Sequence, residues 1–368
     1  MTTAVYCADL RTSSKENLFD KIGRLMERCE LSTRVLSGDL VAVKVHFGER
    51  GNHSFIRPVF LRRIVQELLN REALPFLTDS STLYPGERKE AVSALRCAIE
   101  HGFGYATVNA PLIMLDGLRG HTAVEVPISG ELLSRVSIGA EIVEADALVV
   151  ASHFKCHELT GFGGAIKNLG MGCASREGKM LQHSTVGPVV SARRCTACGR
   201  CVSACAHNAI SFPEGTAWID QELCVGCAHC VTACPERAVT IQWDEASDLV
   251  MRKMAEHARG AVQGKEAKCL YLNFITQVSP ACDCYGYSDA PIVNDIGICA
   301  STDPVALDQA CADLVIGAQG NRETALQSGL EPGGDKFRGV YPEISWEVQL
   351  EHAEKVGLGS RTYKLERI

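Results

Sequence analysis

Eight of the 18 cysteines fall in two runs of one pattern, and no other feature restricts the possible folds so tightly. Cys195, Cys198, Cys201 and Cys205 are followed by Cys224, Cys227, Cys230 and Cys234, each run spaced C-x2-C-x2-C-x3-C. The flanks repeat as well, since RRCTACGRCVSACAHNAISF lines up with ELCVGCAHCVTACPERAVTI. Three cysteines two residues apart let one tight loop reach three irons of a cubane, while the fourth turns away to the neighbouring cluster. The pattern predicts two [4Fe–4S] clusters with crossed ligands: Cys195, Cys198, Cys201 and Cys234 on one, Cys224, Cys227, Cys230 and Cys205 on the other. Structural zinc also uses C-x2-C pairs, but two pairs per ion would leave the third and fourth cysteine of each run unused. Ala206 stands where proline follows Cys234 in the second run, which removes a local constraint and no ligand. The small residues Ala197, Gly199, Gly226 and Ala228 let backbone N–H groups approach the sulfurs.

On either side of this unit, short apolar runs alternate with helical periodicity. Strands are expected at 40–47 (LVAVKVHF), 74–78, 124–128, 147–154 and 269–276. Helices are expected at 58–71, opened by Pro58, at 87–101, 132–144 and 245–262, and from Pro304, with Asp303 as N-cap. Residues 277–295 read as a loop, and the polar tail after Gly317 as surface helix and loop. This alternation predicts an α/β fold with a mostly parallel sheet core, interrupted by a small ferredoxin-type α+β insert. The domains are then 1–187, the first part of the α/β domain; 188–243, the two-cluster insert; and 244–368, its second part and tail.

A net charge of −7 argues against nucleic acid as a partner, because phosphate binding wants a basic face. No basic start followed by an apolar run opens the chain, and no stretch approaches the ~18 apolar residues of a membrane helix. A cytoplasmic protein without a membrane partner is expected. In that reducing setting a high cysteine count reads as metal binding or redox chemistry rather than disulfides.

Several residues outside the repeat carry candidate chemistry. Lys155 and His157 follow the 147–154 strand, His46 ends the first strand, and Asp79 and Ser80 end the second, at the edge where open α/β sheets bind ligands. The turn TGFGGAIKN brings Gly161, Gly163, Gly164 and Asn168 to a helix start, where N–H groups and Lys167 are candidates for holding a phosphate or carboxylate. It is neither a Walker A nor a Rossmann sequence, and no nicotinamide or flavin fingerprint is visible. Cys282 and Cys284, one residue apart, form with Cys173 a candidate third metal or iron–sulfur site, with Cys156 or His183 nearby as ligand or acid. Buried free thiols are the alternative reading. Cys7, Cys29, Cys97, Cys269, Cys299 and Cys311 have no partner spacing and read as packing residues.

The segments VKVHFGERGN (43–52), SHFKCHELTGFGGAIKNLGMGCASREGKMLQH (152–183) and CDCYGYSDAPIVNDIGICASTDPVALDQA (282–310) together resemble the domain-of-unknown-function 362 family. The resemblance implies an α/β domain interrupted by a two-cluster insert, and a redox role. The function expected is an iron–sulfur oxidoreductase that passes electrons through two [4Fe–4S] clusters to a small-molecule site in the α/β domain, with a third metal or cluster there. Lys155, His157, Lys167, His46 and His183 would bind an anionic group or deliver protons. The expected partners are a low-potential electron-donor protein and a small anionic substrate, with a homodimer open. The alternatives are a non-catalytic carrier to a protein partner and a metal or cluster assembly protein.

Overall fold

The structure is a computed structural model in which residues 3–84, 86–213 and 215–368 are described. The apolar runs Leu40–Lys44, Leu74–Thr78, Ala147–His153 and Cys269–Ile275 form strands whose residues are buried almost throughout. Parallel strands covered by helices on both faces need that composition. Leu74–Thr78 pairs with Leu40–Lys44, that strand with Ala147–His153, and that in turn with Cys269–Ile275, all parallel. Gly297–Ser301 then runs antiparallel between Cys269–Ile275 and Thr3–Ala8, and Tyr363–Arg367 closes the sheet parallel to Thr3–Ala8. Four of the six ladders in this sheet are parallel, as the sequence predicted.

Alternation along the central strands divides the core in two. Ala147, Val149 and Ala151 join Ile22, Leu25, Leu61 and Ile64 on one face, from helices Leu18–Arg28 and Pro58–Leu69. Leu148 and Val150 join Ile166, Leu169 and Met254 on the other, from helices Ala165–Gly170 and Ser247–Val262. Gly170 is required at that crossing, since a Cβ there would lie 2.0 Å from the Met254 carbonyl oxygen.

Three expectations fail. The 132–144 stretch is not one helix: Arg135–Gly139 is a strand paired with Ala123–Pro127, and only Ala140–Glu144 is helical. Val136 to Gly139 are all buried in that strand, so burial against the core overrides helical spacing. The tail does not stay on the surface, because its last strand extends the central sheet. Cys7 and Cys299 are not free packing residues. They sit directly opposite on antiparallel strands and form a disulfide across a sequence separation of 292.

Between residues 188 and 243 the chain is built of two matching halves. Val189–Val190 pairs with Val239–Thr240, Ile210–Ser211 with Trp218–Ile219, and helices Arg200–Ala204 and His229–Ala233 occupy equivalent places in the repeat. The backbone repeats in detail. Ala197 (φ 53°) matches Gly226 (φ 73°), and Gly199 (φ 76°) matches Ala228 (φ 58°), all in the left-handed region. Such conformations cost least at glycine, and here alanine adopts one of the two in each loop. Among the described residues no helix is long and apolar enough to cross a membrane.

Candidate functional site

Between residues 188 and 243, one small cavity is lined by Cys195, Cys198, Cys201 and Cys234, and a second by Cys205, Cys224, Cys227 and Cys230. These are the two crossed sets read from the spacing. Backbone N–H groups reach the sulfurs, Ala217 to Cys195 at 3.5 Å, Ala209 to Cys205 at 3.4 Å and Ala238 to Cys234 at 3.2 Å. Hydrogen bonds of this kind stabilise thiolate in a cluster or metal site.

The C-terminal ends of three adjacent parallel strands, Leu74–Thr78, Leu40–Lys44 and Ala147–His153, open on a cavity of about 550 Å³. His46, Asp79, His153, Lys155, His157, Lys167, Lys179, His183 and Cys284 all line it. It adjoins the second cysteine cavity. Ala228, on that cavity's wall, packs with Met180 and with Leu83, which lines the large cavity.

Two buried ionic networks floor the site. Asp79 accepts from Lys44 Nζ at 2.9 Å and from Arg88 Nη1 at 3.0 Å. Burial pulls its carboxyl upward, but Lys44 and Arg88 hold it well below the usual carboxylate range. Asp283, between the two cysteines of the Cys-x-Cys pair, meets His153 Nδ1 at 2.9 Å and Lys155 Nζ at 3.2 Å. Lys155 is thus neutralised inside the fold rather than free for an anion. Lys179 differs: its Nζ donates to Ser80 Oγ and the Ala174 carbonyl, both at 2.7 Å, with no carboxylate partner among the described residues. Burial pushes its pKa down to about 8.

The histidines are less available than expected. Burial holds His46 and His183 at about 3, so both are neutral at ordinary pH. His46 Nδ1 accepts from the Gly48 N–H at 3.0 Å, and the His183 ring stands edge-on to Trp243 with centroids 4.9 Å apart. His157 faces the cysteine pair. A ring nitrogen of His157 and the sulfurs of Cys282 and Cys284 lie within 4.8 Å of one another. Lys167 Nζ lies 3.8 Å from the Cys282 sulfur. Burial opposes the charge on Lys167, but the two neighbouring thiols raise its pKa overall.

The glycine-rich turn does not form an anion cradle. Asp308 already accepts from the Ala165 and Ile166 N–H groups at 2.8 and 2.9 Å, closing the helix start from within. Gly161 packs against Trp346, and Gly163 sits under the Lys167 stem. Gly164 reaches the cavity wall. Asn168 binds Lys44 Nζ at 2.7 Å and the Ala151 carbonyl at 3.0 Å, so it positions protein rather than ligand. Cys173 is not gathered with Cys282 and Cys284. It lies in the core, its thiol donating to the Asn168 carbonyl and pushed up to about 12 by burial. Cys156 is likewise a core thiol.

Lys44, Arg88, His153, Lys179 and Asp283 were not singled out from sequence. Lys44 did carry a signal, a lysine inside the apolar run VAVKV, where an unpaired charge would be costly. Arg88 and Lys179 carried none, because only the fold turns them inward.

The domain-of-unknown-function family DUF362 matches residues 41–313, most of the chain. The chain belongs to the DUF362 family. Its cysteine content and the His157, Cys282 and Cys284 group fit a metal-binding protein. No curated protein matches the DUF362 chain in sequence. Among solved structures it is similar to the lactate racemase apoprotein from Thermoanaerobacterium thermosaccharolyticum, with 12% identity and a TM-score of 0.40, over 87% of this chain and 58% of that one. A structural-genomics protein from Thermotoga maritima is similar at 10% identity and a TM-score of 0.38, over 94% of this chain and 61% of that one. The chain therefore spans about three fifths of the length of either structure.

Proposed function

We propose that this DUF362 protein is an iron–sulfur reductase, with a ferredoxin-type unit at 188–243 feeding a small-molecule site in the α/β domain. The observation that carries the reading is the sorting of eight cysteines into two cavities by crossed sets, one of them set against the wall of the large cavity. Clusters held there would supply electrons one at a time, drawn from a low-potential donor protein. The residues of the chain do the rest. Lys167 and Lys179, which among the described residues have no carboxylate in hydrogen-bond reach, attract an anionic substrate group into the cavity. Arg88 and Lys155 are balanced by Asp79 and Asp283, and hold the floor rigid. Reduction needs protons as well as electrons. Lys179, with a pKa near 8, suits proton delivery better than His46 or His183, which burial keeps neutral.

Anaerobic reconstitution tests this reading. About eight irons and eight sulfides per chain are expected, with electron paramagnetic resonance of two interacting reduced clusters. Small carboxylates and phosphates should perturb the reduced spectrum. Zinc without sulfide at the eight cysteines would overturn it.

A further inference from the structure

We infer that His157, Cys282 and Cys284 bind one divalent transition-metal ion, in a mononuclear site with its free coordination position toward the large cavity. This site goes beyond the iron–sulfur reading and does not depend on it. The argument starts from separation. The three ligand atoms lie within 4.8 Å of one another. Bonds of about 2.0–2.3 Å to a tetrahedral ion place its ligands roughly 3.5–3.8 Å apart, so small shifts close them on one metal. Cubane ligands bind different irons and are spread by the width of the cluster. Three atoms gathered this closely suit a single ion and not a third cluster.

The surroundings fit that ion. Lys167, 3.8 Å from the Cys282 sulfur, stands where it would offset part of the negative charge of metal-bound thiolates. The Lys167 ammonium and the Cys284 N–H, 3.5 Å from the Cys282 sulfur, are the donors that commonly support a metal thiolate. Glu158 lies beside the site. Its Oε2 is buried without a hydrogen-bond partner among the described residues, 3.7 Å from His157 Nε2, and Tyr285 holds the other oxygen at 2.8 Å. His157, Glu158 and Cys284 line the cavity, so a fourth ligand arrives from that side. Three protein ligands with one open position are the pattern of reactive rather than structural zinc-type sites. His157 Nδ1 accepts the Leu159 N–H at 3.1 Å. Binding through Nε2 moves the ring proton to Nδ1 and gives up that one hydrogen bond for a coordinate bond.

The test uses the full-length, cluster-reconstituted protein and cobalt(II) as probe. Cobalt K-edge absorption reads only the added ion, so the iron of the clusters does not interfere. One cobalt per chain is expected, with two sulfur ligands and two nitrogen or oxygen ligands. Binding should fall at least tenfold in Cys282→Ser and Cys284→Ser, fall less in His157→Gln, and persist in Cys173→Ala. Iron content should be unchanged in all four variants, which also reports that they fold. Cobalt binding that survives the Cys282→Ser/Cys284→Ser double change overturns the site, as does a cobalt spectrum without sulfur. Four extra irons lost in that double variant overturn it in favour of a cluster. Loss of the irons held by the eight repeat cysteines sinks the reductase reading alone.

Discussion

Replacing Asp79 with asparagine should destabilise the fold more than any other single change at the cavity floor. Asp79 is 2% exposed and accepts from Lys44, fully buried, and Arg88, 3% exposed. The neutral amide of the Asp79→Asn variant would leave buried Lys44 without a carboxylate and Arg88 with only Glu49, 3.8 Å from its Nε. Breaking a buried pair from one side costs about 3–5 kcal/mol, mostly the stranded charge. At about 2 °C per kcal/mol for a chain of this length, the midpoint should fall by roughly 6–10 °C. Thermal unfolding at pH 7, anaerobic and followed by far-ultraviolet circular dichroism, measures it. Lys44→Met is the control, because Asp79 then keeps Arg88 and the cost should be smaller. The pH dependence has a definite sign. The native carboxyl is held below its unfolded value, so its contribution is present above about pH 4 and is lost as pH falls further. The gap between wild type and Asp79→Asn should therefore close in acid. A midpoint shift under about 2 °C, or a larger loss from Lys44→Met, would refute the reasoning.

Glu256, fully buried, accepts from the N–H groups of Glu131, Leu132 and Leu133 and meets His352 Nε2 at 2.9 Å, so Glu256→Ala should cost about 3 kcal/mol or more in chemical unfolding, with Glu256→Gln intermediate. Cys234→Ser should disturb the cluster of Cys195, Cys198 and Cys201 rather than that of its own run. Electron paramagnetic resonance of Cys234→Ser against Cys205→Ser should show opposite clusters altered, and the same cluster altered in both would contradict crossed ligation. Lys179 is charged below its pKa of about 8, so affinity for a small carboxylate, followed by equilibrium dialysis, should weaken as pH rises through 8. That pH dependence should vanish in Lys179→Met, and a persistent slope would assign it elsewhere.

Much of this was legible before any coordinate. The three cysteines of each loop follow from spacing, because ligand reach within one short loop is local geometry, whereas setting Cys234 beside Cys195 and Cys205 beside Cys224 needs the two halves to pack together. The core strands were legible as short β-rich apolar runs at 147–153 and 269–275, and the alternation with helices pointed to parallel pairing. The helix expected over 132–144 failed because propensity is weak where a strand can bury Val136 and Ile138 against a distant core. The anion cradle at 161–168 failed because its occupant, Asp308, lies 143 residues away from Ala165.

The spacing of the repeat, the apolar strands and the Cys282-Asp283-Cys284 pair were determined by sequence alone. Tertiary structure decided which group completes that pair. Cys173 shares a motif-rich segment with His157, but the helix Ala165–Gly170 turns it into the core, while the short strand Lys155–His157 carries His157 to the cavity. It also decided the charges. Nothing in the sequence says which of Lys44, Arg88, Lys155 and Lys179 meets a carboxylate, and only those that folding brings beside them separate neutralised floor from available cation. Those partners come from distant parts of the chain, and charge balance in a buried site depends on distance in space rather than along the sequence.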